Sequence, residues 1–119
     1  MRALLLLALA ACGPSAGAWV TIEAPLRVPD QCDSVRVTAA RGADEVFNSA
    51  RVIPAGQQFP QTLSLYASKP ADVGAELTVT VVALLGGQPA TSWSTASTTV
   101  TLEDGKLTPV DVRLTNPLP

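Results

Sequence analysis

The sequence predicts an all-β protein, a single antiparallel β-sandwich of about seven or eight short strands that follows an N-terminal signal peptide. From Trp19 onward, apolar and polar residues alternate with a period of two, which is typical of strands with one buried face. Glycine, proline, asparagine and aspartate punctuate this alternation at regular intervals, and no window shows a helical period over a useful length. The chain of 119 residues is long enough for one domain of this kind.

Residues 1–11 have the pattern of a secretory signal. Arg2 supplies a positive charge, an unbroken apolar run covers 3–11, and Gly13-Pro14 ends any helix. The apolar run is shorter than the roughly 20 residues that a membrane-spanning helix needs, and no later segment of the sequence is more apolar. The sequence therefore predicts an exported protein.

Two cleavage sites compete after the apolar run. Leu9-Ala10-Ala11-Cys12 resembles the lipobox of bacterial lipoproteins, and this resemblance implies that Cys12 carries the lipid (palmitate included) and becomes the first mature residue. The alternative is Ala16-Gly17-Ala18, a small-x-small site whose cleavage would release a soluble secreted or periplasmic protein that starts at Trp19. We favour the lipobox because it directly follows the apolar run.

The lipoprotein interpretation divides the chain into a signal peptide over 1–11, a flexible tether over 12–18 and a β-sandwich domain over 19–119. Gly13 follows the cysteine, whereas aspartate at that position is the inner-membrane retention signal of the lipoproteins that the chain resembles. The resemblance therefore implies that the anchor lies in the outer membrane.

The alternation sets the order of the predicted strands, which are 19–23, 34–40, 45–53, 61–67, 76–85, 89–96, 97–103 and 107–114. Segment 45–53 is less regular and allows two short strands split near Asn48. Segment 76–85 has the longest uninterrupted alternation, so we expect it at the centre of the sandwich with its odd-numbered residues inward.

The last two segments predict a terminal hairpin around Asp104-Gly105. A three-residue turn with Gly105 left-handed would place Val100 and Leu102 on the same face as Val110, Val112 and Leu114. Pro109 has no amide hydrogen to donate, which indicates an edge strand. This ending resembles the last two strands of immunoglobulin-like and transthyretin-like domains of bacterial envelope proteins, a resemblance that implies an adhesive, scaffolding or accessory role and transfers no functional residue.

Composition argues against the common catalytic sites. The chain has no histidine, so Ser-His-Asp, Cys-His and histidine-based zinc sites cannot be built from it. It also lacks a phosphate-binding glycine loop and clustered Lys and Arg, and its net charge is −2. We therefore expect no enzymatic activity, no cofactor and no nucleic-acid partner.

Cys32 is the only cysteine after Cys12, and a buried, inert thiol is the expected role. The alternatives are an intermolecular bridge, a reactive thiol, or a Cys12–Cys32 disulfide if neither cleavage occurs. Asp30 and Asp33 flank Cys32, and Asp44-Glu45 lie in another loop. These acids lack the close spacing of calcium loops, so we expect turn capping by Asp30 and Asp33 and no metal site.

Trp93 is the one candidate binding residue. It stands among threonines, serines and alanines, so it could be an exposed ring on a hydroxyl-rich strand that contacts carbohydrate. The alternative, which we favour, is that this large side chain fills the core. The length of the turn at Gly86-Gly87 decides between them, because it sets the face on which Trp93 lies.

The sequence thus predicts a lipid-anchored cell-envelope β-sandwich module with a binding or scaffolding role. Its partners would be the membrane, through lipid on Cys12, and another envelope protein or a glycan. The main alternative is a secreted, soluble carbohydrate- or protein-binding domain cleaved after Ala18, and an enzyme ranks third.

Overall fold

Two β-sheets pack face to face in the computed structural model, which describes residues 16–67 and 69–115. The strands are Gly17–Glu23 (β1), Ser34–Arg41 (β2), Asp44–Val52 (β3), Gln61–Tyr66 (β4), Glu76–Leu85 (β5), Gln88–Pro89 (β6), Thr95–Thr101 (β7) and Leu107–Arg113 (β8). A single 3-10 turn, Pro70–Asp72, lies between β4 and β5. Within these residues no helix has the length and apolarity needed to cross a membrane. The predicted all-β sandwich is confirmed.

The smaller sheet has the order β4-β1-β8, with β1 in the middle. β1 runs antiparallel to β4 and parallel to β8, so that Gly17 lies beside Leu107 and Glu23 beside Arg113. The first and last strands of the described body are therefore hydrogen-bonded partners. This is the one parallel pair among the described strands, in a sandwich predicted to be antiparallel.

The larger sheet has the order β3-β2-β5, and both β6 and β7 pair with the other side of β5. β5 therefore lies at the centre, as the sequence predicts. Its odd-numbered residues are fully buried from Leu77 to Ala83, but the pattern reverses at the end of the strand, where Leu84 is buried and Leu85 is 40% exposed. The reversal comes directly before Gly86 and Gly87, which turn the chain with positive φ angles.

The core is formed by the inward faces of the two sheets, and small or β-branched residues make up most of it. Its fully or nearly fully buried members are Ala18, Val20, Ile22, Val35, Val37, Ala39, Leu63, Leu65, Leu77, Val79, Val81, Ala83, Val110 and Val112. Every second residue of β1, β2, β4, β5 and β8 contributes over most of the strand, as the period-two alternation predicts, whereas β3 contributes only the partly buried Val46 and Phe47. Alanine and valine at facing positions let the sheets approach closely.

Segment 44–52 is one continuous strand, so the predicted split near Asn48 is wrong. The register with β2 shifts between Ala39, which faces Phe47, and Ala40, which faces Glu45. Val46 is thus the extra residue of a β-bulge. An extra residue interrupts the period of two without ending the strand, which explains why the sequence looks irregular there.

The predicted terminal hairpin is also wrong, because β7 and β8 belong to different sheets. Gly105 is left-handed, as predicted, with a φ of 75°. The Lys106 amide donates to the Glu103 carbonyl oxygen at 3.1 Å, so the turn has two central residues, Asp104 and Gly105, and not the predicted three. After the turn the chain crosses the sandwich and pairs with β1. The even-numbered apolar residues, Val100, Leu102, Val110, Val112 and Leu114, are all buried, but they meet across the core. Pro109 lies on the edge strand, as predicted.

Segment 89–96 is not a strand of its own. β6 covers only Gln88–Pro89, after which the chain bends and rejoins β5 at Thr95. Where the chain leaves β5, the Ala90 amide donates to the Ala83 carbonyl oxygen at 2.9 Å. Where the chain returns, the Ala83 amide donates to the Ser94 carbonyl oxygen, also at 2.9 Å. β6 and β7 therefore pair with the same side of β5, and residues 90–94 form a turn between them, where the sequence predicts a strand over 89–96.

β1 begins at Gly17, two residues before the predicted start at Trp19. Ala16 and Ala18 are buried in the core cluster, at 2% and 0% exposure. Residues 16–18, which the sequence assigns to the tether, are therefore part of the sandwich. The signal peptide, Cys12 and the rest of the tether lie outside the described residues.

An ion pair between the half-buried Arg41 and the buried Asp72 stabilises the connection that crosses from β4 to β5. Asp72, in the 3-10 turn, is 1% exposed and receives a charged hydrogen bond from the Arg41 guanidinium at the end of β2. Arg41 also lies 3.7 Å from the Asp44 carboxylate. Among the described residues, the second carboxylate oxygen of Asp72 has no hydrogen-bond partner, so Arg41 is its essential counter-charge.

We expect Val81→Asp to prevent stable folding, because it places an unpaired charge at a fully buried position of the central strand. Thr80→Asp is the matched control. Thr80 lies on the opposite face, where its hydroxyl is 2.9 Å from the Ser97 hydroxyl, and the change should cost about 1 kcal/mol. Thermal melting of both variants checks the face assignment, and greater damage from Thr80→Asp would contradict it.

Arg41→Ala should lower the free energy of unfolding by about 3 kcal/mol, since it leaves the buried Asp72 carboxylate without a counter-charge. Arg36 offers a control on the same strand: its guanidinium bonds the Asn48 side chain at the surface. Arg36→Ala should cost about 0.5 kcal/mol or less. Equal losses for the two variants in urea unfolding would show that the Asp72 pair is not structural.

Candidate functional site

A groove runs along one side of the sandwich, where each sheet ends in an edge strand. β3 is the edge of the larger sheet and β4 the edge of the smaller one. One hollow of about 290 Å³ lies between them at the 53–60 loop, and a second, shallower hollow of about 470 Å³ continues from it. Arg51, Thr62 and Leu63 line both hollows, which makes them one continuous groove.

Arg51 is the charged group of this groove. It is exposed, and its guanidinium lies 3.5 Å from the Thr62 carbonyl oxygen, so it bridges the two edge strands. Within the described part of the chain, no acidic side chain forms an ion pair with Arg51. The guanidinium can therefore bind a carboxylate or phosphate oxygen supplied by a ligand.

Aromatic rings and hydroxyl groups complete the groove. Trp19 is 41% exposed, Phe47 is half-buried, and the hydroxyl-bearing residues of the shallower hollow are Ser49, Thr62 and Ser64. Among the described residues that line the groove there is no histidine, cysteine, aspartate or glutamate. The groove thus offers one cation, apolar surface and hydrogen-bonding hydroxyls, which suit binding better than proton transfer.

A third hollow of about 500 Å³ lies at the end of the sandwich where β1 and β8 finish. Phe59, Pro25 and Pro60 supply its apolar surface. Arg113 bonds the Glu23 carboxylate at 3.0 Å on its rim. Because this arginine already has a partner, the hollow offers weaker attraction for an anion than the groove at Arg51.

Trp93 lies in the turn between β6 and β7 and not on a strand, so strand parity does not determine its orientation. It is half-buried and packs against the core cluster. Ser94 holds the turn: its hydroxyl donates to the Thr91 carbonyl oxygen at 2.8 Å and accepts from the Thr91 amide at 3.1 Å. Trp93 does not line the groove. Its role in binding stays a prediction.

The acids near Cys32 make contacts within the fold. Asp33 accepts hydrogen bonds from the Ser34 hydroxyl at 3.0 Å and from the Gly86 amide at 3.1 Å, which ties the start of β2 to the β5–β6 turn. Asp30 lies 4.0 Å from the Arg27 guanidinium at the surface. The described residues contain no cluster of three or more His, Cys, Asp or Glu suited to a metal ion, Asp44 and Glu45 included.

Cys32 is a free thiol with no exposed surface, and its predicted burial is confirmed. The thiol donates to the Ser34 carbonyl oxygen at 3.3 Å. Burial raises the pKa of Cys32, and its hydrogen bonds offset this only in part. A raised pKa keeps the thiol protonated and therefore unreactive near neutral pH.

Comparison of the chain with protein-family models, curated proteins and solved structures found no match. The assignment of the candidate site therefore depends on the geometry of the groove alone.

Arg51 and Trp19 are not among the site residues that the sequence predicts. The alternation alone places Trp19 on the face opposite Val20 and Ile22, so its exposure could have been predicted. Arg51 had no comparable signal, since its importance depends on β3 and β4 being neighbouring edges of different sheets.

We expect Cys32→Ser to keep the fold and the oligomeric state, because the Ser34 carbonyl oxygen can accept a bond from the new hydroxyl. The free energy of unfolding should fall by about 1–2 kcal/mol, as a hydroxyl replaces a buried thiol. In the native wild-type protein, iodoacetamide should alkylate Cys32 slowly at pH 8, and faster as the pH rises toward its raised pKa. Rapid alkylation at pH 8, or a disulfide-linked dimer on non-reducing electrophoresis, would contradict a structural role.

Proposed function

We propose that this protein is a lipid-anchored module of the bacterial cell envelope, attached to the outer membrane through Cys12, that binds or scaffolds another envelope component. The observation that carries this proposal is the position of β1, which begins at Gly17. It bears on the two candidate cleavage sites, because one precedes β1 and the other cuts through it.

The three small residues of the alternative cleavage site each have a structural explanation. Ala16 and Ala18 are buried in the core, and a Cβ atom at Gly17 would lie 2.6 Å from the Tyr66 ring. Only glycine fits beneath that ring without a shift of the neighbouring strand. Small residues at 16–18 are therefore what the sandwich requires, and they need no signal peptidase to account for them.

Cleavage after Ala18 would also remove part of the fold. The Gly17 amide donates to the Lys106 carbonyl oxygen at 3.0 Å, and the Ala67 amide donates to the Ala16 carbonyl oxygen at 2.9 Å. A mature chain beginning at Trp19 loses these bonds and the buried Ala18 side chain, and it gains a charged amino group next to the core. Cleavage before Cys12 keeps all of β1, which supports the lipoprotein over the secreted, soluble alternative.

The groove between β3 and β4 supports a binding role. Its guanidinium, rings and hydroxyls suit an anionic or carboxylate-bearing segment of an envelope protein or glycan. The edges of β3 and β4 also carry backbone groups without a strand partner among the described residues, which an extended peptide could pair with.

Cys12→Ser should abolish lipid attachment, so the variant should leave the detergent phase of a Triton X-114 separation. Cys32→Ser is the matched control and should stay in that phase, since its thiol is buried within the fold. Mass spectrometry of the wild-type N-terminus should show a lipidated Cys12. An unmodified chain that begins at Trp19 would overturn the proposal in favour of a secreted protein.

A further inference from the structure

We infer that one end of the outer face of the smaller sheet rests in the headgroup layer of the membrane that holds the lipid anchor. This inference rests on the proposed lipidation of Cys12 and adds a second, protein-borne contact with phospholipid. The contact surface consists of Trp19, Tyr66, Leu107 and Pro109, which we call the Trp19 patch. Trp19 also lines the shallower hollow of the groove, so the patch and the groove adjoin at this residue.

The sheet register brings the Trp19 patch together. One row across the three strands consists of Tyr66, Gly17 and Leu107. The next row whose side chains point to the same face, two residues along each strand, consists of Ser64, Trp19 and Pro109. Trp19, Tyr66 and Leu107 are 41%, 52% and 44% exposed. They are three of the five large hydrophobic residues exposed in the described part of the chain, so exposed apolar side chains are concentrated at this end of the face.

Polarity increases along the strands away from the patch. The next row on this face holds Thr62, Thr21 and Asp111, and the last holds the Glu23–Arg113 ion pair. One end of the face is therefore apolar and aromatic, and the other end is charged. Such a gradient suits a protein that stands with one end against a bilayer, where tryptophan and tyrosine prefer the interface.

Lysines flank the patch. Lys69 and Lys106, the only lysines of the chain, are exposed, and both lie at this end of the sandwich, after β4 and before β8. Lys106 bonds the Glu103 carboxylate at 3.0 Å, and Asp104 is in the same turn. The turn holds two acids and one lysine, and Lys69 supplies the only other lysine charge at this end, so the apolar side chains provide the attraction.

The anchor is close enough to permit this contact. Cys12 precedes Ala16 by four residues, which span at most about 14 Å when fully extended. β1 itself, at seven residues, is about 23 Å long. The tether is therefore long enough to bring the membrane surface to the patch, where β1 begins, but shorter than β1 itself.

Trp19 fluorescence in the lipidated full-length protein tests the contact. Trp93→Phe leaves Trp19 as the single tryptophan, and Trp19→Phe leaves Trp93, which lies near the opposite end of the sandwich, beside Ala83. Each variant is reconstituted in phosphatidylcholine vesicles with and without 6,7-dibrominated acyl chains. Bromolipid should reduce Trp19 emission about twofold or more, because tryptophan at the interface contacts the upper acyl chains, and should leave Trp93 emission nearly unchanged.

A pair of leucine variants in the Trp93→Phe background provides an independent measurement. Leu107→Asp adds a charge within the patch, whereas Leu85→Asp adds one to a similarly exposed leucine, 40% against 44%, at the other end. Leu107→Asp should remove most of the Trp19 quenching, and Leu85→Asp should leave it intact. Equal effects of the two substitutions would overturn the inference.

The N-terminal mass, measured on the same samples, separates the two proposals. A lipidated Cys12 with unquenched Trp19 overturns the membrane contact and leaves the anchored module standing. An unlipidated N-terminus overturns the proposed function itself. A third outcome is that Trp19 is shielded from acrylamide but is not quenched by bromolipid, and that the protein cross-links as a dimer. This face would then be an interface between two copies of the chain, and the membrane contact would be overturned.

Discussion

The hydrogen-bonded pairing of β1 with β8 is the constraint on which the rest of the structure depends. β1 is the middle strand of a three-stranded sheet, and its inward residues Ala18, Val20 and Ile22 have no exposed surface. Without it, β4 and β8 would have no partner in their own sheet, and the larger sheet would lose its cover. The first residues of the described body are thus as much a part of the core as the central strand β5.

Much of the fold follows from local pattern. The alternation of apolar and polar residues locates every strand of six or more residues to within two positions at either end, and it identifies the inward faces of β2 and β5 correctly. Pattern succeeds here because each strand buries one face, so its period is imposed by the core. Val46 shows the limit: one extra residue in a bulge disturbs the period, although the strand continues.

The features that the sequence did not predict depend on which strands become neighbours in the sheets. Burial of Val100 and Val110 is compatible both with a hairpin and with strands that face each other across the core, and only the pairing of β8 with β1 decides between them. The groove at Arg51 has the same origin, since it lies between the edges of two sheets. Trp93 could not be placed for a different reason. It lies in a short turn and not on a strand, so counting residues along a strand cannot predict which way its side chain points.

The parallel register of β1 and β8 also has a mechanical consequence. The chain enters the described body at Gly17, at one end of this ladder, and β8 finishes at Arg113, at the other end. Tension between these two points pulls the strands past each other along their length, so the hydrogen bonds of the whole ladder share the force at once. An antiparallel terminal pair would instead open one bond at a time from its end. The arrangement therefore suits a body that is held at a surface on one side and pulled from the other.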